Sequence, residues 1–176
     1  MNALAQGGAR ILVAGAGNIF LGDDGFGVET VRALTGRPLP AHVEVADIGI
    51  RGVHLAYRLL DGYDTLVLVD ATARGGEPGT LYLIEPGTPG EPPATGAALD
   101  GHGMSPDAVL ALLDTLCAGT DGTPPRHIFV VGCEPACLEE GIGLSPRVAA
   151  AVPEAVRMIL DLVRQHDPLT TTGRHP

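Results

Sequence analysis

Five short apolar runs, separated by amphipathic stretches, are the feature that most limits what this chain can fold into. Such runs predict β-strands, and their density of Val, Ile and Leu predicts that helices cover both faces of the sheet. The alternation of strands and helices is typical of a layered α/β protein. In chain order, the predicted strands are RILVAGAG, VEVADIG, DTLVLVDA, TLYLIEP and HIFVVGC.

Four helices are predicted between and after these strands, because apolar residues recur there at helical spacing. Ser105 is the predicted N-cap of the third helix, and Pro106 its first residue. Pro153 predicts that the last segment splits into a short turn and a longer final helix, since proline lacks a backbone donor. The predicted helical segments are GFGVETVRAL, GVHLAYRLL, MSPDAVLALLDTLC and LSPRVAAAVPEAVRMILDLV.

The 176 residues, 45% of them hydrophobic, predict one domain with a real core. We assign this single domain to residues 1–165 and a mobile C-terminal tail to residues 166–176. The Pro- and Gly-rich stretch EPGTPGEPPATGAALDG is predicted to be a long loop after the fourth strand.

Composition and charge exclude several classes of function. The net charge of −10 disfavours nucleic acids and anionic membranes as partners. All eleven basic residues are arginines, so no lysine can form a Schiff base or grip a phosphate. No apolar run approaches the roughly 18 residues that span a bilayer. Three cysteines and no recognisable signal peptide predict reduced thiols and a cytoplasmic location.

Acidic residues follow three of the predicted strands. In open α/β sheets, ligands bind outside the carboxyl ends of the strands, near the point where strand order reverses. If the order begins 2-1-3, Asp23 and Asp24 converge there with Asp47 and Asp70. Each also has a structural explanation: Asp23 or Asp24 as the cap of the helix near Gly25, and Asp47 and Asp70 as turn formers.

His102 lies between two glycines just before the third predicted helix, in a segment with little apolar pattern. It is either a solvated loop histidine or a functional residue. Two carboxylates and one imidazole from separate loops suit nickel, zinc or iron. Three protein ligands would leave coordination positions open, which a metal carried by another molecule could fill.

A dinucleotide-binding loop is the competing interpretation of the stretch GAGNIFLGDDGFG. Gly15 and Gly17 supply the first two positions of Gly-x-Gly-x-x-Gly, but Phe20 stands at the third. Asp23 and Asp24 would also repel a pyrophosphate. We therefore rank a nucleotide-binding module well behind a cation site.

Four blocks of the chain resemble, in order and spacing, the maturation endopeptidases of [NiFe] hydrogenases. The resemblance extends from Arg10 to about Val163, and its most specific part is Gly-x-Gly-Asn followed by Asp-(Asp/Glu)-Gly-x-Gly-Val. The blocks are ILVAGAGNIFLGDDGFGVETVRAL, LVLVDA, GHGMSPDAVL and VVGCEPACLEEGIGLSPRVAAAVPEAV.

The resemblance implies a three-layer α/β fold with a twisted, five-stranded, mainly parallel sheet between helices. Strand 4 is our candidate for the antiparallel strand, because a short Gly-Pro connection rather than a helix precedes it. The implied activity is removal of the C-terminal extension from the precursor of a hydrogenase large subunit after nickel insertion, with nickel as the recognition element.

Carried over residue by residue, the resemblance implies that Asp24, Asp70 and His102 are the nickel ligands and catalytic residues, which leaves Asp23 as the cap. Nickel would arrive in the substrate, so the free enzyme should hold no tightly bound metal. Cleavage could use a metal-activated water, or a carboxylate base as in aspartic-type proteolysis. The alternative is a non-catalytic nickel-binding docking factor.

Two segments depart from the common pattern of these relatives. The loop from Asp47 to Gly52 replaces Asp-Gly-Gly-Thr, and Cys133-Glu134-Pro135 stands where Gln-Pro is common. We expect these changes to mark a subgroup with its own cognate hydrogenase.

Overall fold

The computed structural model describes residues 9–86 and 106–167. This part of the chain forms five strands, four α-helices and a short 3-10 turn at Gly22–Gly25. The strands are β1 (Ile11–Ala16), β2 (Val43–Gly49), β3 (Thr65–Ala71), β4 (Leu81–Ile84) and β5 (His127–Cys133). The helices are α1 (Phe26–Thr35), α2 (Gly52–Leu59), α3 (Pro106–Ala118) and α4 (Pro146–Gln165).

The five strands form one sheet in the order β2-β1-β3-β5-β4. All neighbouring pairs are parallel except β4 and β5, which are antiparallel. The order begins 2-1-3, the condition under which the acidic residues were expected to converge, and the predicted antiparallel strand is confirmed. The order reverses at β1, whose neighbours are β2 and β3, so the carboxyl end of β1 is where a ligand site is expected.

Side chains of β1 alternate between two hydrophobic cores, as the period of a strand requires. Ile11 and Val13 join a core with α1 and α4, whereas Leu12 and Ala14 join a core with α2 and α3. All four residues are buried. The predicted layering, with helices on both faces of the sheet, is therefore confirmed.

Helix α1 approaches β1 and β3 unusually closely through two glycines. A Cβ atom at Gly27 would overlap the carbonyl oxygens of Val69 and Ala16. A Cβ atom at Gly15 would overlap the carbonyl oxygen of Gly27. Only hydrogen fits at both positions, so these glycines set the distance between α1 and the carboxyl half of the sheet.

We expect Gly27→Ala to lower the free energy of unfolding by about 3 kcal/mol, because the added methyl group must push α1 off the sheet. Urea denaturation would measure the change. Gly36→Ala is the matched control: the nearest atom to a Cβ there is 3.7 Å away, so its effect should stay within about 0.5 kcal/mol. Equal stability of the two variants would contradict this account of the packing.

The predicted break at Pro153 is wrong, because α4 runs without interruption from Pro146 to Gln165. Pro153 is exposed, and Ala149, whose carbonyl loses its helical donor, is an exposed residue as well. A continuous apolar seam holds the two halves of the helix on the sheet. It consists of Val148, Ala151, Ala155, Val156, Ile159, Leu162 and Val163.

A charged cluster lies at the opposite, amino-terminal edge of the sheet. Glu44 accepts hydrogen bonds from the Tyr63 hydroxyl at 2.6 Å, from Arg10 Nη2 at 2.6 Å and from Arg58 Nη2 at 3.2 Å. The Arg10 guanidinium also lies 4.4 Å from the centre of the Tyr63 ring. The bond from Tyr63, followed by that from Arg10, lowers the pKa of Glu44 to about 2.

This cluster predicts a pH-dependent part of the stability. The folded pKa of Glu44, about 2, lies below its ordinary value of 4.5, so the stabilisation is complete above pH 4.5 and is lost as the pH falls towards 2. We expect the difference in unfolding free energy between wild type and Glu44→Gln to shrink steadily over that range in urea titrations. A difference that is independent of pH would contradict the assignment.

Several predicted features lie outside the described residues: Ser105, most of the predicted long loop, and residues 168–176 of the predicted tail. The first two residues of that tail are described. The ring of His166 packs against Phe129 with centroids 4.9 Å apart, and Asp167 Oδ1 lies 3.6 Å from His42 Nε2. Of the helices described, none has the length and apolar character needed to cross a membrane.

Candidate active site

Asp24 and Asp70 come together at the carboxyl end of β1. Asp24 lies in the 3-10 turn between β1 and α1, and Asp70 lies near the end of β3, the neighbour of β1. Gly17 lies between these two residues and has a φ of +123°. A Cβ atom on Gly17 would overlap the carbonyl oxygen of Asp24 and would lie 3.6 Å from Asp70 Oδ1. Glycine at this position lets the chain turn sharply after β1 and brings the two acidic residues together.

The two carboxylates influence each other electrostatically. Burial, and next the negative charge of Asp24, raise the pKa of Asp70 to about 7, against a smaller opposite effect of a hydrogen bond from the Ala71 backbone. Two negative charges are therefore costly here near neutral pH. A bound cation would remove that cost, and carboxylate oxygens are suitable ligands for one.

A short network fixes the orientation of Asp24. The backbone N–H of Asn18 donates to Asp24 Oδ2 at 2.7 Å, and the Asn18 side-chain oxygen accepts from the Phe20 N–H at 2.9 Å. The other carboxylate oxygen, Oδ1, accepts no hydrogen bond from residues 9–86 or 106–167. Asp24 is thus held by one oxygen while the other is available to a ligand.

Asp23 does not cap α1, so this prediction is wrong: neither the 3-10 turn nor α1 has a side-chain cap. Its fully buried carboxylate turns towards the segment after β5 instead. It accepts hydrogen bonds from Ala136 N at 2.8 Å, Cys137 N at 3.0 Å, Ser145 N at 2.7 Å and Ser145 Oγ at 2.8 Å. Asp23 therefore joins the turn that carries Asp24 to the loop before α4.

Asp23 is ionised in the folded protein. Burial alone would raise its pKa, but the hydrogen bonds from Ser145, Ala136 and Cys137 outweigh burial and the net shift is downward. A carboxylate that accepts several backbone N–H groups is stabilised in its charged form.

We expect Asp23→Ala to lower the free energy of unfolding by about 2–4 kcal/mol, because four donors lose a buried, charged acceptor together. Ser145→Ala removes only the hydroxyl donor and should cost about 1 kcal/mol. Chemical denaturation of both variants tests the ranking. If Asp23→Ala is no less stable than Ser145→Ala, the carboxylate is not the anchor of this loop.

Asp47 lies at the same sheet edge but outside the acidic pair. It belongs to β2, its side chain is exposed, and its Oδ2 lies 3.6 Å from Arg32 Nη2. The loop that follows, where the sequence departs from Asp-Gly-Gly-Thr, contacts the site through its backbone: Gly17 N donates to Gly49 O at 2.9 Å.

Glu134 is a structural residue that the sequence analysis did not assign. It is 6% exposed and accepts from Arg74 N at 2.8 Å, Gly75 N at 3.2 Å and the Tyr82 hydroxyl at 2.9 Å. Burial raises its pKa, but these bonds outweigh burial and lower it overall. Glu134 thus holds the β3–β4 connection against the end of β5, a role that a glutamate before a proline does not reveal in sequence.

Cys133 is not an activated nucleophile. Cys117, Cys133 and Cys137 are all free. Cys133 is fully buried, and burial raises its pKa to about 12. That thiol is protonated and belongs to the core.

The third predicted ligand, His102, lies outside the described residues. In the parts of the chain that are described, no cluster of three or more His, Cys, Asp or Glu side chains is arranged to hold a metal. The structure therefore brings together Asp24 and Asp70, and the complete set of three ligands stays a prediction.

The fold and this site define a class: an α/β protein with a pair of coupled carboxylates where the strand order reverses. A phosphate-binding loop does not fit, because the acidic turn Gly22–Gly25 precedes the amino end of α1 and no lysine is present. The site is suited to a cation or to acid–base chemistry.

Comparison with known proteins identifies the family. A family model described as hydrogenase maturation protease matches residues 28–162. The hydrogenase 2 maturation protease of Escherichia coli is 36% identical over 159 residues, which cover 89% of this chain and 92% of that protein. The hydrogenase expression/formation protein HupD of Rhizobium leguminosarum is 33% identical over 158 residues, which cover 88% and 74% respectively.

Solved structures agree with the sequence match. The hydrogenase maturating endopeptidase HybD from Escherichia coli superposes with a TM-score of 0.70 and 33% identity, over 89% of this chain and 93% of that one. The chain belongs to the hydrogenase maturation protease family, whose members are endopeptidases. The resemblance found in the sequence is thereby confirmed, as is the α/β fold that it implied.

Proposed function

We propose that this protein removes the C-terminal extension of a [NiFe] hydrogenase large-subunit precursor after nickel has been inserted. Asp24, Asp70 and His102 bind the nickel that the precursor already carries. The proposed setting is the cytoplasm, which three reduced cysteines favour.

The observation that carries this proposal is the pairing of Asp24 with Asp70 across Gly17. The raised pKa of Asp70 means that the two carboxyl groups alone resist full ionisation, and a cation from the substrate would relieve the repulsion. Asp24 Oδ1, which accepts no hydrogen bond from the described residues, is available as a ligand. Because the metal is supplied by the precursor, the free enzyme needs no tightly bound metal of its own.

Two chemical routes are compatible with this pair. In the first, the nickel polarises the scissile carbonyl or activates a water molecule. In the second, the nickel positions the substrate and one carboxylate takes a proton from the attacking water, as in aspartic-type proteolysis. In both routes the water oxygen bonds to the carbonyl carbon, and the amine of the extension leaves with a proton.

We expect Asp24→Asn, Asp70→Asn and His102→Ala each to reduce processing of nickel-loaded precursor at least about 100-fold, because each removes a ligand or the proton acceptor. The readout is the shortened large subunit on a denaturing gel, checked by mass spectrometry. Nickel-free precursor should remain uncut by the wild type.

Asp121→Asn is the matched control, since Asp121 is exposed in the loop before β5, on the opposite edge of the sheet. It should process at the wild-type rate. Full processing by all three site variants would contradict the proposed ligands. Nickel-dependent binding by the wild type with no cleavage would instead identify a docking factor.

A further inference from the structure

An exposed apolar and acidic surface lies beside the proposed nickel site. It consists of Phe20, Leu138, Glu139, Glu140 and Ile142, which we call the docking surface. Phe20 is 61% exposed, Leu138 42% and Ile142 81%. Large apolar side chains exposed together, with polar groups around them, are characteristic of protein interaction sites.

Backbone hydrogen bonds join the two segments that form this surface. Gly141 N donates to Phe20 O at 2.9 Å, and Gly22 N donates to Gly141 O at 2.9 Å, so that Leu21 and Gly141 form a parallel bridge. These bonds hold Phe20 beside the segment Glu140–Ile142, so the exposed side chains of Phe20, Glu140 and Ile142 belong to neighbouring stretches of backbone.

Hydrogen bonds of two residues, Asn18 and Asp23, fix the docking surface relative to Asp24. Asn18 binds the Asp24 carboxylate through its N–H and the Phe20 N–H through its side chain. Asp23, the neighbour of Asp24, holds Ala136 and Cys137 before the acidic segment and Ser145 after it. A partner bound here would meet a preformed surface and lose little free energy in ordering it.

Beside the docking surface lies an open cavity of about 410 Å³. Ile142 and Ile19 contribute to its wall, and Arg32 and Glu29 line it as well. A cavity of this size can accept one or two apolar side chains of a partner.

The charge of the surface indicates what kind of partner it fits. Glu139 and Glu140 are exposed, and within the described ranges neither forms a salt bridge with an arginine. Two carboxylates that are neighbours in sequence and have no arginine partner among the described residues favour basic side chains on the partner. A second copy of this chain fits poorly, because a two-fold interface would bring the same acidic residues against each other.

We propose that the docking surface binds the hydrogenase large-subunit precursor through a segment that carries basic and apolar side chains, close to its nickel. This inference rests on the proposed function and adds a recognition site for the protein part of the substrate. Nickel binding distinguishes the precursor that has received nickel from the one that has not. The docking surface distinguishes the cognate precursor from those of other hydrogenases.

The first test reverses the charge in Glu139→Lys/Glu140→Lys. We expect the KM for nickel-loaded precursor to rise about tenfold at low salt, with kcat within twofold of wild type, because charges at the edge of an interface act on encounter rather than on chemistry. Added salt should reduce the difference in KM between this variant and the wild type, because it screens the charges. Asp114→Lys/Asp121→Lys changes the net charge equally at exposed positions elsewhere and should leave KM unchanged.

The second test removes the apolar contacts in Phe20→Ser/Ile142→Ser. KM should rise by at least about tenfold, since a few apolar anchors that become buried on binding carry most of the binding energy of an interface. Leu83→Ser is the control, because Leu83 is 47% exposed on β4 and outside the docking surface. Titration calorimetry of each variant with nickel-free precursor, which should remain uncut, measures the affinity of the docking surface independently of cleavage.

The outcomes separate the two proposals. Processing by the wild type together with unchanged KM and affinity in both double variants would overturn the docking surface and leave the proposed function intact. Binding by the wild type without cleavage, weakened by both double variants, would overturn the proposed function and support the docking surface. A wild-type dimer that Glu139→Lys/Glu140→Lys dissociates in sedimentation runs would assign the surface to self-association and overturn the inference.

Discussion

The arrangement of the site depends on one buried charge, the carboxylate of Asp23. It joins the turn after β1 to the segment between β5 and α4, two parts of the chain separated by 113–122 residues in sequence. With those four donors satisfied, the neighbouring Asp24 has a fixed backbone. Asp23 is not itself a proposed nickel ligand, but it determines where the proposed ligand Asp24 lies. It also anchors the loop that carries Glu139 and Glu140.

A second constraint is steric. Gly15 and Gly27 let α1 lie directly on the sheet, and Gly17 lets the chain turn between Asp24 and Asp70. The spacing of these glycines resembles that of a nucleotide-binding loop because both loops have the same geometry. In each, a strand passes directly into a helix at the edge of a sheet. The chemistry of the loop depends on the acidic residues between the glycines, and here they disfavour phosphate.

Much of the fold could be predicted because its signals are local. Each strand could be predicted from a run rich in Val, Ile and Leu. The lack of a helix before β4 indicated that β4 runs antiparallel to its neighbour. The predicted helix break at Pro153 was wrong because local propensity takes no account of the packing of α4. The apolar seam of this helix outweighs one hydrogen bond lost on its exposed side.

The site could be predicted only in part. Asp24 and Asp70 follow strands that proved adjacent, so their convergence could be inferred from topology alone. The role of Asp23 could not, because three of its four donors are backbone N–H groups more than a hundred residues away, and any residue type except proline supplies those. Glu134 was missed for the same reason: two of its three donors belong to the backbone of the β3–β4 connection.

The bond between Gly17 N and Gly49 O has a consequence for how this family can diversify. It joins Gly49, the last residue of β2, to the turn at the site through main-chain atoms. Ile48 is buried in the core, but the side chain of Ile50, just after the strand, is exposed and can be exchanged without removing this hydrogen bond. Residues after Gly49 can therefore differ between proteins with different substrates while the backbone that positions the acidic pair stays the same.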